Sequence, residues 1–230
     1  MRYVISDIHG NYDLFIKLLK KIKFSRNDKL YILGDIIDKG KHVDMLLHAI
    51  FETLKNNVFV LCGNHEYEFM KFVKTLIIKD ASDSKIESEC KKFLGINNIT
   101  FSEIENIMNL PFYYEENDFI LVHAGIPFNS NGIPLPLKQA TREELVYDRR
   151  FKNENFLPTN CKCVIFGHTP TFYIEGKKGK IVKYQKPNTS GKSPKDFYKI
   201  HIDTGNYITG ILGCIRLDDM QEFYVNEFED

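Results

Sequence analysis

The first 62 residues alternate between short apolar runs and longer segments with helical spacing. RYVIS (2–6), KLYIL (29–33) and VFVLC (58–62) read as strands. YDLFIKLLKKIK (12–23) and VDMLLHAIFETLK (43–55) read as helices, the first with Leu14, Leu18, Leu19 and Ile22 on one face. Strands joined by helical crossovers run parallel, so the pattern predicts βαβ units with helices covering a sheet. Each of the three runs ends in polar residues: Asp7 and His9, Asp35 and Asp38, Asn64 and His65. In an open α/β sheet the crevice beyond the carboxyl ends of the strands is where ligands bind.

Residues 65–110 read as helical, with Ser102 and Glu105 forming a capping box before IENIMNL and Pro111 ending that element. Residues 111–125 read as a hairpin that turns at Glu116-Asn117-Asp118 and delivers His123. Thr141 and Glu144 form a second capping box, opening a short helix that runs to about Asp148. The remainder is β-rich: 162–169, TFYIE (171–175), 180–184, 197–203, 210–217 and 221–228. This second half is expected to be mostly antiparallel and to form a second sheet packed on the first. The expected fold is therefore α/β, with two packed mixed β-sheets as a β-sandwich flanked by helices. A length of 230 residues fits a single domain over residues 1–230.

Lys+Arg and Asp+Glu both number 31, so the net charge is zero and nothing global points to nucleic acid or an anionic membrane. The five cysteines are odd in number, and the one close pair, Cys161 and Cys163, has neither zinc nor redox spacing. They read as reduced thiols, which suits a cytoplasmic location. The apolar run in MRYVISDIHG is too short for a signal peptide, and no stretch approaches a membrane span. Residues 177–199 carry eight Lys against one Asp. A solvated hairpin and loop is the simpler reading; a loop that steers anionic substrates toward the site is the functional alternative.

Metal-capable side chains recur at five strand ends: Asp7 with His9, Asp35 with Asp38, Asn64 with His65, His123, and His168 in IFGHT. Any one alone is a weak signal. Together, without thiolate, they suit manganese, iron or zinc. Two carboxylates and several imidazoles exceed the needs of one catalytic metal, so a pair about 3.5–4 Å apart, bridged by a carboxylate, is the natural use. His42, His48 and His201 read as structural or surface residues, and Cys62 as a buried strand residue.

DIHG, GDIIDKG, GNHE, HAG and GHT, in that order, resemble the signature motifs of calcineurin-like metallophosphoesterases. Within that superfamily the set resembles the phosphoprotein phosphatases of the Ser/Thr type. GHTP and IDTG (167–170 and 202–205) look most like the bacterial and phage branch. The resemblance implies the calcineurin-like metallophosphoesterase architecture and two divalent metal ions, manganese first, with iron or zinc as alternatives. It implies Asp7 and His9 on one metal, Asp35 bridging, and Asn64, His123 and His168 on the other. It also implies in-line attack by a metal-bridging hydroxide, with His65 as the general acid and Asp38 orienting it. Lys39, Arg149 and Asn64 would contact the phosphate, with Arg150 next to Arg149 in YDRRF (147–151). Asp203 would support the site without being a ligand.

The family position of Lys39 is usually Arg. Lys keeps the charge but loses the planar fork that grips two phosphate oxygens. The resemblance implies a phosphatase acting on phosphoserine and phosphothreonine in proteins. The alternative is a hydrolase of dinucleoside polyphosphates or another small phosphoester. A non-catalytic binding protein would be expected to lack a ligand or the acid, and all are present. The expected partner is a phosphoprotein or a small phosphoester, with neither nucleic acid nor membrane.

Overall fold

Arg2–Ile5 (β1) is first in the chain and central in its sheet, because parallel partners and antiparallel partners claim opposite edges. The computed structural model describes residues 1–159, 161–174 and 176–228. After β1 come Tyr12–Lys21 (α1), Lys29–Ile32 (β2), Val43–His48 (α2), Val58–Val60 (β3), Asn64–Ile78 (α3), Asp83–Leu94 (α4) and Phe101–Met108 (α5). Tyr113–Glu115 (β4) and Phe119–Val122 (β5) form the expected hairpin across 116–118. Arg142–Tyr147 (α6), Cys163–Phe166 (β6), Val182–Gln185 (β7), Phe197–His201 (β8), Asn206–Thr209 (α7), Ile211–Arg216 (β9) and Glu222–Asn226 (β10) complete the order.

The first sheet runs β10-β9-β1-β2-β3 and the second β4-β5-β6-β8-β7. β1, β2 and β3 are parallel, as the alternation predicts. Side chains of β1 alternate between two cores. Tyr3 and Ile5 pack under the helices with Leu14, Phe15 and Leu18. Val4 points the other way and meets Leu121, Ile165 and Ile200 of the second sheet. The sheet is covered on both faces, which is why its strands read as continuous apolar runs.

Three expectations about the second half are corrected. β9 and β10 do not join the second sheet: β9 pairs antiparallel with β1, matching Tyr3 to Arg216. Nor is the second sheet mostly antiparallel, since β5, β6 and β8 run parallel and only the edge strands β4 and β7 oppose them. Long connections between β5, β6 and β8 permit those parallel crossovers. The expected strand at 171–175 is a short 3-10 turn over Thr171–Tyr173, with Glu175 outside the described residues. β8 is already paired on both sides, by β6 and β7, so no edge there is free for it.

The capping box of α5 is formed by Thr100 and Glu103, two residues before the Ser102–Glu105 pair that the sequence offers. Ile104 and Ile107 must both face the core, and the earlier start lets Glu103 bury its carboxylate on the Thr100 N–H. Thr141 and Glu144 cap α6 as expected. α2 holds α-helical bonding only to His48, then widens to π-type turns through Ala49–Thr53. Of the lysine-rich stretch, the loop between β7 and β8 lies at the end of the sheet opposite His123 and His168, whereas Lys177, Lys178 and Lys180 precede the antiparallel β7 and lie at the same end as His168. Among the described residues no helix is long and apolar enough to cross a membrane. All five cysteines are free thiols, four of them buried.

Candidate active site

The five polar strand ends converge. β1 leads to Asp7 and His9, β2 to Asp35, Asp38 and Lys39, β3 to Asn64 and His65 at the start of α3, β5 to His123, and β6 to His168. Asp7, His9, Asp35, Asp38, Lys39 and His168 all adopt left-handed backbone, with φ between 49° and 67°. Such conformations cost side-chain-bearing residues about 1–3 kcal/mol each and persist only where the surroundings enforce them. Here the enforcing contacts are backbone bonds between turns: His9 N–H donates to Asp35 O at 2.8 Å and Gly10 N–H to Ile36 O at 2.8 Å. Gly63 is required by proximity, because a Cβ there would stand 2.2 Å from Asp35 Oδ1.

Asp35 Oδ2 sits among three imidazole nitrogens: 3.5 Å from His123 Nε2, 3.7 Å from His9 Nε2 and 3.9 Å from His65 Nε2. His9, Asp35 and His65 form one group with potential donor atoms within 4.8 Å of one another; Asp35, His123 and His168 form a second. Asp35 is common to both, the position a bridging carboxylate needs. Asp7 joins neither group. It is buried beside them, its Oδ2 accepting from Ser6 Oγ and from the His168 N–H at 3.1 Å.

The ring orientations suit metal ligation. Nδ1 of His123 bonds Leu33 O at 2.7 Å and Nδ1 of His9 bonds Ile37 O at 3.2 Å. Each Nδ1 therefore carries the proton, and each Nε2 turns a lone pair into the site. The His123 lone pair faces Asn64 Oδ1 at 3.1 Å, an acceptor opposite an acceptor, which a cation between or beside them would resolve. Burial pushes His9 down to about 4 and His168 down to about 3, so both rings are in the neutral, ligating form at pH 7. Burial, with the Asp7 and Glu66 charges nearby, holds the Asp35 carboxyl well above the usual carboxylate range. The buried oxygen and nitrogen set, without thiolate, fits a divalent metal pair.

His65 Nδ1 meets Asp38 Oδ2 at 2.7 Å. Lys39 Nζ lies 2.9 Å from His9 Nε2 and 5.6 Å from the centre of the Tyr207 ring. The two neighbouring arginines differ in what they hold. Arg150 is gripped by Asp148 through Nε at 3.1 and 3.0 Å and Nη2 at 2.6 Å. Among the described residues Arg149 has no carboxylate partner, and its charge helps depress the His168 pKa.

Two supporting residues, Glu66 and Asn206, escaped the sequence reading, while His201 and Asp203 did not. Glu66 is fully buried and accepts from the N–H groups of Asp35, Gly63, Ile36 and Ile37 at 2.7, 2.9, 2.9 and 3.1 Å. It ties the GDIID turn to the GNHE turn. The available signal was its place three residues after Gly63, the N3 position of a capping box. Asn206 Nδ2 donates to Asp7 O. His201, expected to be structural, is buried, stacks on Phe166 at 4.4 Å and bonds Thr169 O at 2.5 Å, bracing the turn that carries His168. Asp203 Oδ1 accepts from the Gly205 N–H at 2.8 Å.

Over 131 residues the chain is 32% identical to the symmetrical bis(5'-nucleosyl)-tetraphosphatase of Wigglesworthia glossinidia brevipalpis, a stretch covering 54% of this chain and 44% of that protein. It thus spans about half the length of the curated relatives it matches. A crystal structure of a candidate diadenosine tetraphosphatase superposes with a TM-score of 0.68 at 18% identity, covering 100% of this chain and 94% of that one. The cold-active protein-tyrosine phosphatase of a psychrophilic Shewanella shares the fold at a TM-score of 0.57 and 17% identity, covering 98% of this chain and 80% of its own. Residues 2–189 match the family of calcineurin-like phosphoesterases, and the chain belongs to that family.

Proposed function

We propose that this chain, as a single domain, hydrolyses dinucleoside polyphosphates, cutting a tetraphosphate symmetrically into two nucleoside diphosphates. The observation that carries this reading is the 32% identity to a symmetrical tetraphosphatase over 131 residues of the chain. Asp7, His9 and Asp35 would hold one metal, and Asp35, Asn64, His123 and His168 the other. Divalent metals bound there, manganese with iron or zinc as alternatives, would polarise a phosphoryl oxygen and lower the pKa of water.

The chain's own side chains do the rest. Lys39 and Arg149 hold phosphate oxygens on either side of the centre, where negative charge develops. His65 gives its proton to the departing oxygen as the P–O bond breaks and the water oxygen bonds to phosphorus. Asp38 keeps the imidazole aimed and charged. A second reading, hydrolysis of phosphoserine and phosphothreonine in proteins, draws on the GNHE and GHTP motifs and on the His65–Asp38 pair, since an alkoxide leaving group needs an acid more than a diphosphate does.

A hydrolysis panel with manganese tests this. Diadenosine tetraphosphate, a phosphoserine peptide and an aryl phosphate would be compared by kcat/KM. The reading requires the dinucleotide to lead; a leading phosphopeptide transfers the function to the second reading.

A further inference from the structure

A cleft of about 780 Å³ opens beside the site at Arg149. Its charged wall is Arg149, Arg150 and Lys152, and no carboxylate lines it among the described residues. Its apolar wall is Phe128 and Phe156, stacked at 4.1 Å, with the Arg150 guanidinium 5.1 Å over Phe128. Asn153 and Asn155 add side-chain amides. On the other flank, the cleft beside His9, Lys39 and Tyr207 is about 360 Å³ and carries Asp13 and Glu227 against its lysines. The two sides are therefore chemically different, and only the Arg149 side is uniformly cationic.

The frame of the larger cleft is held from below. Lys199 is fully buried on β8, and its Nζ donates to Phe151 O at 2.8 Å and Asn153 O at 2.6 Å. That fixes the backbone between the cationic and amide residues. Cations placed next to the reacting centre suit phosphates. Amides suit the mixed donor and acceptor edge of a nucleobase, and an apolar wall suits its faces. The volume is ample for one nucleoside.

Resting on the hydrolase reading above, we propose that this cleft holds one nucleoside diphosphate half of the dinucleotide. Arg149 and Lys152 take its phosphates, and Asn155 with the Phe128–Phe156 wall takes the nucleoside. The bound half becomes one of the two products, so the same cleft should retain free ADP.

Calorimetric titration of the manganese-loaded chain with ADP and with inorganic pyrophosphate tests this. ADP is expected to bind more tightly than pyrophosphate. Lys152→Glu and Asn155→Leu should each weaken ADP binding by about tenfold, the scale of one lost polar contact. ADP binding no tighter than pyrophosphate, or unchanged in both variants, overturns the assignment. Turnover of diadenosine tetraphosphate is scored separately. Turnover with variant-insensitive ADP binding removes the cleft and leaves the hydrolase reading. Lys152-dependent ADP binding without turnover removes the reading and leaves the cleft.

Discussion

His65 Nδ1 and Asp38 Oδ2 stand 2.7 Å apart at the rim of the site, with His65 Nε2 turned toward Asp35. Burial works against charge on His65, but the Asp38 bond and the Asp35 charge outweigh it and raise the imidazole pKa. A raised pKa keeps the acid protonated as pH increases, and activity falls only when pH passes through it. Asp38→Asn removes the support, so the alkaline limb of the kcat–pH profile should move to lower pH. The rate should fall about ten- to a hundredfold, as for other lost partners of this kind. An unmoved limb would separate Asp38 from the proton transfer.

Glu66→Gln should destabilise the whole site. One amide oxygen cannot accept the four N–H groups that the carboxylate accepts, and its NH₂ would face donors. The cost should be about 2–5 kcal/mol. Scanning calorimetry should show a fall of about 5–15 °C in melting temperature for a chain of this size. An unchanged melting temperature would mean the four bonds contribute nothing net.

Lys39→Arg should raise kcat/KM on phosphomonoesters by about three- to tenfold, the worth of one added charge-assisted hydrogen bond. Lys39 sits 2.9 Å from His9 Nε2, so its ammonium already reaches the centre as a point charge. A guanidinium there could grip two oxygens. Unchanged or lower efficiency would show that Lys39 is matched to its substrate as it stands.

Lys199→Met should alter the dependence of stability on pH. Burial pushes the Lys199 ammonium down to about 8 from the ordinary 10.5. Between those values the unfolded chain binds more protons than the folded one, so this residue's contribution grows as pH rises and its burial penalty is complete below about 8. Urea unfolding at about pH 7 and about pH 10 should show the wild type losing less stability with rising pH than the variant. Parallel losses would place the proton elsewhere.

The convergence of the polar strand ends was legible because each motif is local: an apolar run, a turn and a polar residue sit within a few positions, and the α/β rule puts all such turns at one edge. The β4–β5 hairpin and the Thr141 cap were legible for the same reason. The return of β9 and β10 to β1 was not, since an apolar strand does not encode which sheet edge it will find. Glu66 was passed over because nothing in GNHE distinguishes a carboxylate buried on four amides from a solvated one. Arg149 and Arg150 became distinguishable only once Asp148 was seen to grip the second. The start of α5 slipped by two residues because two overlapping capping boxes were available, and core packing chose between them.

The most direct test of the central claim is product analysis of diadenosine tetraphosphate treated with the manganese-loaded chain, beside Asp35→Asn as control. The account predicts ADP as the sole product and loss of turnover in the variant, because Asp35 belongs to both ligand groups. AMP with ATP as products, or turnover that survives Asp35→Asn, would contradict it.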